Sequence, residues 1–189
     1  MTLEGFATQP DVQRIALIRV RERDVKLADG LLAKYGGHSM DNDVADAYQI
    51  TGVTEGHSQT GAPVTASSPE WEGFGSAELR AWIEVGRCFA APLRCADLPN
   101  GRIHVGRSTA SDLSLRSRSV SKLHAYFDVR EDGSLLLTDA ESKNGTLCGG
   151  RRLTPGEPIS VQPGTTVQFG EVEMIWCTAE QFHGAVQNF

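Results

Sequence analysis

The sequence contains no run of the roughly 18 apolar residues that a membrane-spanning helix requires, so no membrane partner is expected. Its opening stretch, MTLEGFATQPD, lacks the basic-then-apolar order of a secretory signal, and a cytoplasmic protein is the expectation. Cysteine is scarce and scattered. Cys88, Cys95, Cys148 and Cys177 include no CxxC pair and no zinc-like spacing with histidine. A Cys88–Cys95 bridge would suit a secreted chain; without a signal, free packed thiols and no metal are expected. No GxxxxGK[ST] loop appears, so nucleotide hydrolysis lacks its usual phosphate cradle. Lys and Arg are missing altogether from residues 36–79.

That gap is half of a charge asymmetry. Residues 36–79 carry Asp41, Asp43, Asp46, Glu55, Glu70, Glu72 and Glu78, whereas residues 102–152 carry nine basic against six acidic residues. The net charge of -6 over 189 residues therefore hides a basic patch beside an acidic segment. Nucleic-acid binding would want a basic domain throughout, so no nucleic-acid partner is expected; a local patch suits a small anionic group. A hydrophobic content of 40% is enough for a globular core. The length suits one domain of about 100–150 residues with an appendage.

Along the chain, four regions are expected. Residues 1–35 form an N-terminal helical segment: Leu17, Val20, Leu27 and Leu31 recur at roughly helical spacing between Pro10-Asp11 and Gly36-Gly37. The portion VQRIALIRVR is β-branched enough to be a strand instead. Residues 36–78 have no sustained period and the composition of an acidic flexible linker, with Trp71 and Phe74 tacking its end to the next domain. The alternative to a plain spacer is a linker threonine such as Thr54 that, once phosphorylated, folds back onto the basic loops. Residues 79–180 change texture to short alternating stretches, AWIEV, RIHVG, HAYFDVR, SLLLTD, TVQFG and EVEMIWC, separated by turn signals at EDGS, PGE and PGT. With no convincing helix among them, they point to an antiparallel β-sandwich. Residues 181–189 read as a C-terminal tail.

The basic, hydroxyl-rich stretch 106–129 poses a choice between catalysis and anion binding. Ser121 and His124 lack the strand-to-helix elbow that exposes a hydrolase nucleophile. His124 opens the alternating strand HAYFDVR and reads as a hydrogen-bonded structural histidine, so no catalytic residue and no enzyme activity is expected. A phosphoryl dianion needs a forked cation completed by hydroxyl or backbone donors. Arg107 after Gly106, Ser121 with Lys122, and Lys143 with Asn144 supply those groups. Asn144-Gly145 is a common turn, and the Asn amide can also clamp a peptide backbone through one donor and one acceptor.

Taken in order, GR at 106–107, SxxHA at 121–125, DxxSxNGT at 139–146, Gly150, Leu153, PG at 163–164 and FG at 169–170 resemble the forkhead-associated (FHA) domain family over about residues 81–178. The resemblance implies an all-β sandwich of about eleven strands, preceded by the N-terminal helical segment and linker, with binding loops at one end. It also implies a phosphothreonine-peptide binding module without a cofactor. Arg107 and Ser121 resemble the family's phosphate-binding residues, Lys122 a variable position that reaches phosphate when basic, and Asn144 the residue that holds the ligand backbone. Lys143 is its neighbour on that loop, and Arg118-Ser119 lie where the family often reads the third residue after the phosphothreonine. Gly106, His124, Gly145 and Thr146 are expected to support the loops. Gly149 and Thr165 depart from the family's usual asparagine and aspartate, at turns away from the phosphate site. The implied partner is a phosphorylated protein or peptide, with a Ser/Thr kinase upstream; a phosphate-independent scaffold is the alternative. An enzyme housed in residues 1–80 would have only His38 and His57, both in linker sequence, and no cysteine.

Overall fold

The computed structural model describes residues 14–35, 49–51, 76–84, 87–93, 101–130 and 134–186. Most of the expected linker, including Thr54, Trp71 and Phe74, lies outside these residues, as do Cys95 and the Asp132-Gly133 turn. Two β-sheets stack face to face. The larger runs in the order β2 (Gln49–Thr51), β3 (Arg87–Pro92), β1 (Arg14–Arg19), β12 (Val172–Thr178), β11 (Thr166–Phe169), β8 (Thr146–Cys148) and β9 (Arg151–Arg152). The smaller runs β10 (Ile159–Val161), β7 (Leu135–Asp139), β6 (Ala125–Val129), β4 (Arg102–Gly106) and β5 (Leu113–Ser114). The expected sandwich is present, with twelve strands among the described residues. One pairing departs from the antiparallel rule: β4 and β5 run parallel, Val105 opposite Leu113 and Gly106 opposite Ser114.

β1 sits in the middle of the larger sheet, hydrogen-bonded to β12 on one side and β3 on the other. Its sequence, RIALIR, is apolar without alternation, as a strand buried on both faces should be. Ala16 and Ile18 enter the core between the sheets with Phe127, Phe169 and Trp176. Ile15 and Leu17 enter a second core on the sheet's outer face with Leu79, Ile83 and Phe182. The strand alternative for this portion prevails over the helix, because partners on both flanks and both faces outweigh a chance helical spacing. Ile15, Leu17 and Ile18 are fully buried; together they contribute about 5–9 kcal/mol, comparable with the whole stability of a typical domain. The expected boundary at residue 79 therefore does not separate the sandwich from its N-terminal residues.

The helical part of the N-terminal segment is α1 (Val25–Tyr35), which buries Leu27, Ala28, Gly30 and Leu31. Two further helices correct the sequence reading. AWIEV belongs largely to α2 (Ser76–Glu84), where Leu79 and Ile83, four residues apart, face the second core. The expected tail begins inside α3 (Ala179–Val186), whose Phe182, Ala185 and Val186 close the same core. Thr178-Ala-Glu-Gln181 is the start signal that announces α3. The Thr178 N–H donates to Gln181 Oε1 and the Gln181 N–H to Thr178 Oγ1, a reciprocal capping box. Both Pro-Gly turns form as read. Gly156 and Gly164 have φ of 80° and 85°, and Glu157 and Thr165 close the turns onto Thr154 and Gln162. Among the described residues, no helix is long and apolar enough to cross a membrane.

Candidate functional site

Three loops meet at one end of the sandwich. The first leaves β4 at Gly106, where an added Cβ would overlap the Lys122 carbonyl oxygen. That close approach lets the Arg107 N–H donate to Ser121 O at 2.8 Å and the Ser108 N–H to Lys122 O at 3.3 Å. Arg107 is thereby laced beside Ser121. The third loop, residues 140–146, is shaped by the buried Asp139 carboxylate. It accepts the Ser142 N–H at 2.9 Å, Ser142 Oγ at 2.7 Å and Thr146 Oγ1 at 2.5 Å. Burial alone would raise the Asp139 pKa; the Thr146 and Ser142 donors overcome it and hold the group below its ordinary value. Glu141 takes a left-handed φ of 56°, which places a strained residue at the loop's start.

His124 ties the second loop, residues 115–124 between β5 and β6, to the third. Its Nδ1 accepts the Ser121 N–H at 3.0 Å, so Nε2 carries the proton and donates to Gly145 O at 3.2 Å. The ring lies edge-on to Phe169, and burial lowers its pKa against weaker raising effects from Gly145 and Asp139. A neutral ring whose Nδ1 is occupied by a backbone N–H has no free base for the Ser121 hydroxyl. This arrangement braces loops and does not activate a nucleophile.

Ser121 Oγ accepts the Lys143 N–H at 3.0 Å, which leaves its own proton free to donate. Asn144 Nδ2 donates to Ser119 O at 2.7 Å and keeps Oδ1 unbonded among the described residues. The side chains of Arg107, Arg118, Lys122 and Lys143 are exposed and make no hydrogen bond or ion pair among the described residues. Two acids of the surrounding segments are already engaged, while the exposed Glu141 makes no ion pair among the described residues. Asp112 is held by the His104 ring and N–H, and Glu171 by Arg21 at 2.9 Å and Arg23 at 3.4 Å. The cations therefore face solvent without counterions, in a field that favours a bound anion.

Ser119 is engaged within the protein. Its hydroxyl meets the Glu171 N–H at 3.1 Å and Ser117 Oγ at 3.0 Å, and its carbonyl accepts from Asn144. Sequence reasoning missed the supports behind these loops. Gly170, with φ of 60°, lets the β11–β12 turn pass so close to Ser119 O that a Cβ would overlap it. Tyr35 of α1 donates its hydroxyl to Asp112 O at 2.6 Å, and Lys34 Nζ donates to Ser111 O. The FG at 169–170 marked the first of these in the sequence; no short-range signal marked the second.

Residues 103–170 match the sequence profile described as the FHA domain. This segment is an FHA domain. Members of that family bind phosphothreonine peptides. The profile begins inside β4, so it covers the three loops but omits β1, β3 and β12, which complete the sandwich here. Among solved structures, the chain is similar to the FHA domain of the CT664 protein from Chlamydia trachomatis, at 25% identity over 47% of this chain and 85% of that one, with a TM-score of 0.41. A structure from a study of phosphothreonine-dependent FHA domain interactions matches at 23% identity over 49% and 84% of the two chains, with a TM-score of 0.39. Mycobacterium tuberculosis EmbR, solved with a low-affinity phosphopeptide, matches at 22% identity over 47% of this chain and 21% of its own, with a TM-score of 0.40. No curated protein matches the sequence.

Proposed function

We propose that this protein is a non-catalytic reader of phosphothreonine, an adaptor that docks onto partners modified by a Ser/Thr kinase. The observation that carries the reading is the lacing of Arg107 to Ser121. This backbone bond makes neighbours of a residue with an unpaired guanidinium and one whose hydroxyl proton is unspent, with Lys122 next in the chain. Arg107 supplies the fork for the phosphate, and Ser121 Oγ and Lys122 complete its shell. Asn144, one loop away, offers a free carbonyl oxygen to the peptide's backbone N–H. Arg118 and Lys143 flank the cradle as further cations. A cytoplasmic setting accords with such a ligand, since Ser/Thr kinases and ATP are found there.

The test is calorimetric titration of the purified chain with a phosphothreonine peptide library and its unphosphorylated counterparts. Arg107→Ala removes a charge-assisted contact worth about 1.5–3 kcal/mol, so affinity falls roughly 10- to 100-fold while melting is unchanged. Equal binding of phosphorylated and unphosphorylated peptides would favour a phosphate-independent scaffold and refute the reading.

A further inference from the structure

β1 and β3 are antiparallel neighbours whose adjoining ends nearly meet: Arg19 lies opposite Cys88, and the Val20 N–H donates to Arg87 O at 2.9 Å. A turn of a few residues would join them. Instead residues 21–86 intervene, and the first element of that excursion, α1, packs beside the binding loops. Its Leu27 and Leu31 share a core with Leu113, Leu115 and Val120. A Cβ at Gly30 would overlap the stem of Arg116, so the missing side chain lets the helix approach the second loop. α1 precedes the matched residues 103–170 and is no part of the FHA profile.

The last turn of α1 grips the first loop, which leaves β4 at Gly106 and rejoins the sheet at Leu113. The outgoing limb of that loop is held on the second loop by the Arg107 and Ser108 N–H groups. The return limb is held by α1: Tyr35 Oη donates to Asp112 O at 2.6 Å, and Lys34 Nζ donates to Ser111 O. The Tyr35 ring packs against the core between the sheets, which fixes where its hydroxyl stands. Burial pushes the Tyr35 pKa up, so the hydroxyl stays a donor. Ser111 is buried, and its N–H closes onto Ser108 O at 3.2 Å, which carries the constraint across the loop to the residue after Arg107. With both limbs tied, the backbone that carries Arg107 is ordered before a ligand arrives, and binding need not order it.

We infer that Lys34 and Tyr35 are positioning residues for phosphate binding: from α1 they fix the return limb of the loop that carries Arg107, and so set the affinity for a phosphorylated peptide. This deepens the reading of Arg107 and Ser121 given above and rests on it.

The experiment titrates the full chain and its variants with the tightest-binding phosphothreonine peptide of the library and its unphosphorylated counterpart. Tyr35→Phe keeps the ring and removes the hydroxyl; Lys34→Met keeps most of the stem and removes the ammonium. Each should weaken phosphopeptide binding by about threefold to tenfold, the effect of one hydrogen bond. Each should lower the melting temperature by only about 2–4 °C and quicken amide exchange at Ser108 and Ser111. Lys34→Arg, which keeps a donor, should recover part of the loss. The deciding comparison places each variant in Arg107→Ala, where it should weaken the residual binding by less than about twofold. Unchanged affinity in folded Tyr35→Phe and Lys34→Met overturns this inference alone, as does a loss of equal size with and without Arg107. Wild-type binding that ignores the phosphate overturns the reading of the site and this inference with it.

Discussion

Replacing His124 by alanine should damage stability and binding together, and the structure sets the size of the effect. The ring is completely buried, accepts from Ser121 N–H, donates to Gly145 O and packs against Phe169 with centroids 5.6 Å apart. Alanine leaves one buried donor and one buried acceptor without partners, at about 1–3 kcal/mol each, and opens a small cavity. The sum is about 3–5 kcal/mol, which for a chain of this length lowers the melting temperature by roughly 6–20 °C. Phosphopeptide affinity should fall as well, because the Ser121 and Asn144-Gly145 loops lose the group that joins them.

The same residue predicts a pH dependence with a definite sign. Burial lowers its pKa below the ordinary 6.5, so the unfolded chain binds a proton that the folded chain resists. Its contribution is complete above about pH 6.5 and is lost as pH falls from there toward the lowered value. Calorimetric melting at about pH 7.5 and about pH 5.5 should therefore show a larger acid loss for wild type than for His124→Ala, in which that group is missing. A variant that melts within about 2 °C of wild type, or that shows the same acid loss, would refute the bracing role.

Gly170→Ala places a Cβ at a φ of 60° against Ser119 O, so it should destabilise the protein by about 1–3 kcal/mol and weaken peptide binding; a thermal melt and a titration on one preparation check both. A fragment that begins at residue 79 lacks β1, and it should fail to show a cooperative melt, whereas adding back a peptide covering β1 and α1 should restore one. A stable, peptide-binding 79–180 fragment would show instead that β3 and β12 can close the sheet without β1.

The three-loop site was legible in the sequence because its chemistry is local. Gly106 before Arg107, Ser121 three residues before His124, and Asn144-Gly145 each announce a turn and a donor set within a few residues. Both Pro-Gly turns and the alternating strands β6 and β7 follow from the same short-range rules. The strand RIALIR carried no comparable signal: a strand buried on both faces has no alternation, and its apolar spacing read equally as helix. Only the pairing of Arg14–Arg19 with Val172–Thr178, at opposite ends of the chain, decided its state. Helix α2 was hidden for a related reason, since AWIEV shows its amphipathic face only when Leu79 is counted with Ile83. Gly30 gave no hint of its role, because the Arg116 stem that occupies its missing side chain comes from another loop. Local backbone chemistry determined the turns and the shape of the three loops; contacts between distant segments, which no spacing records, decided the centre of the sheet and the helix that packs beside those loops.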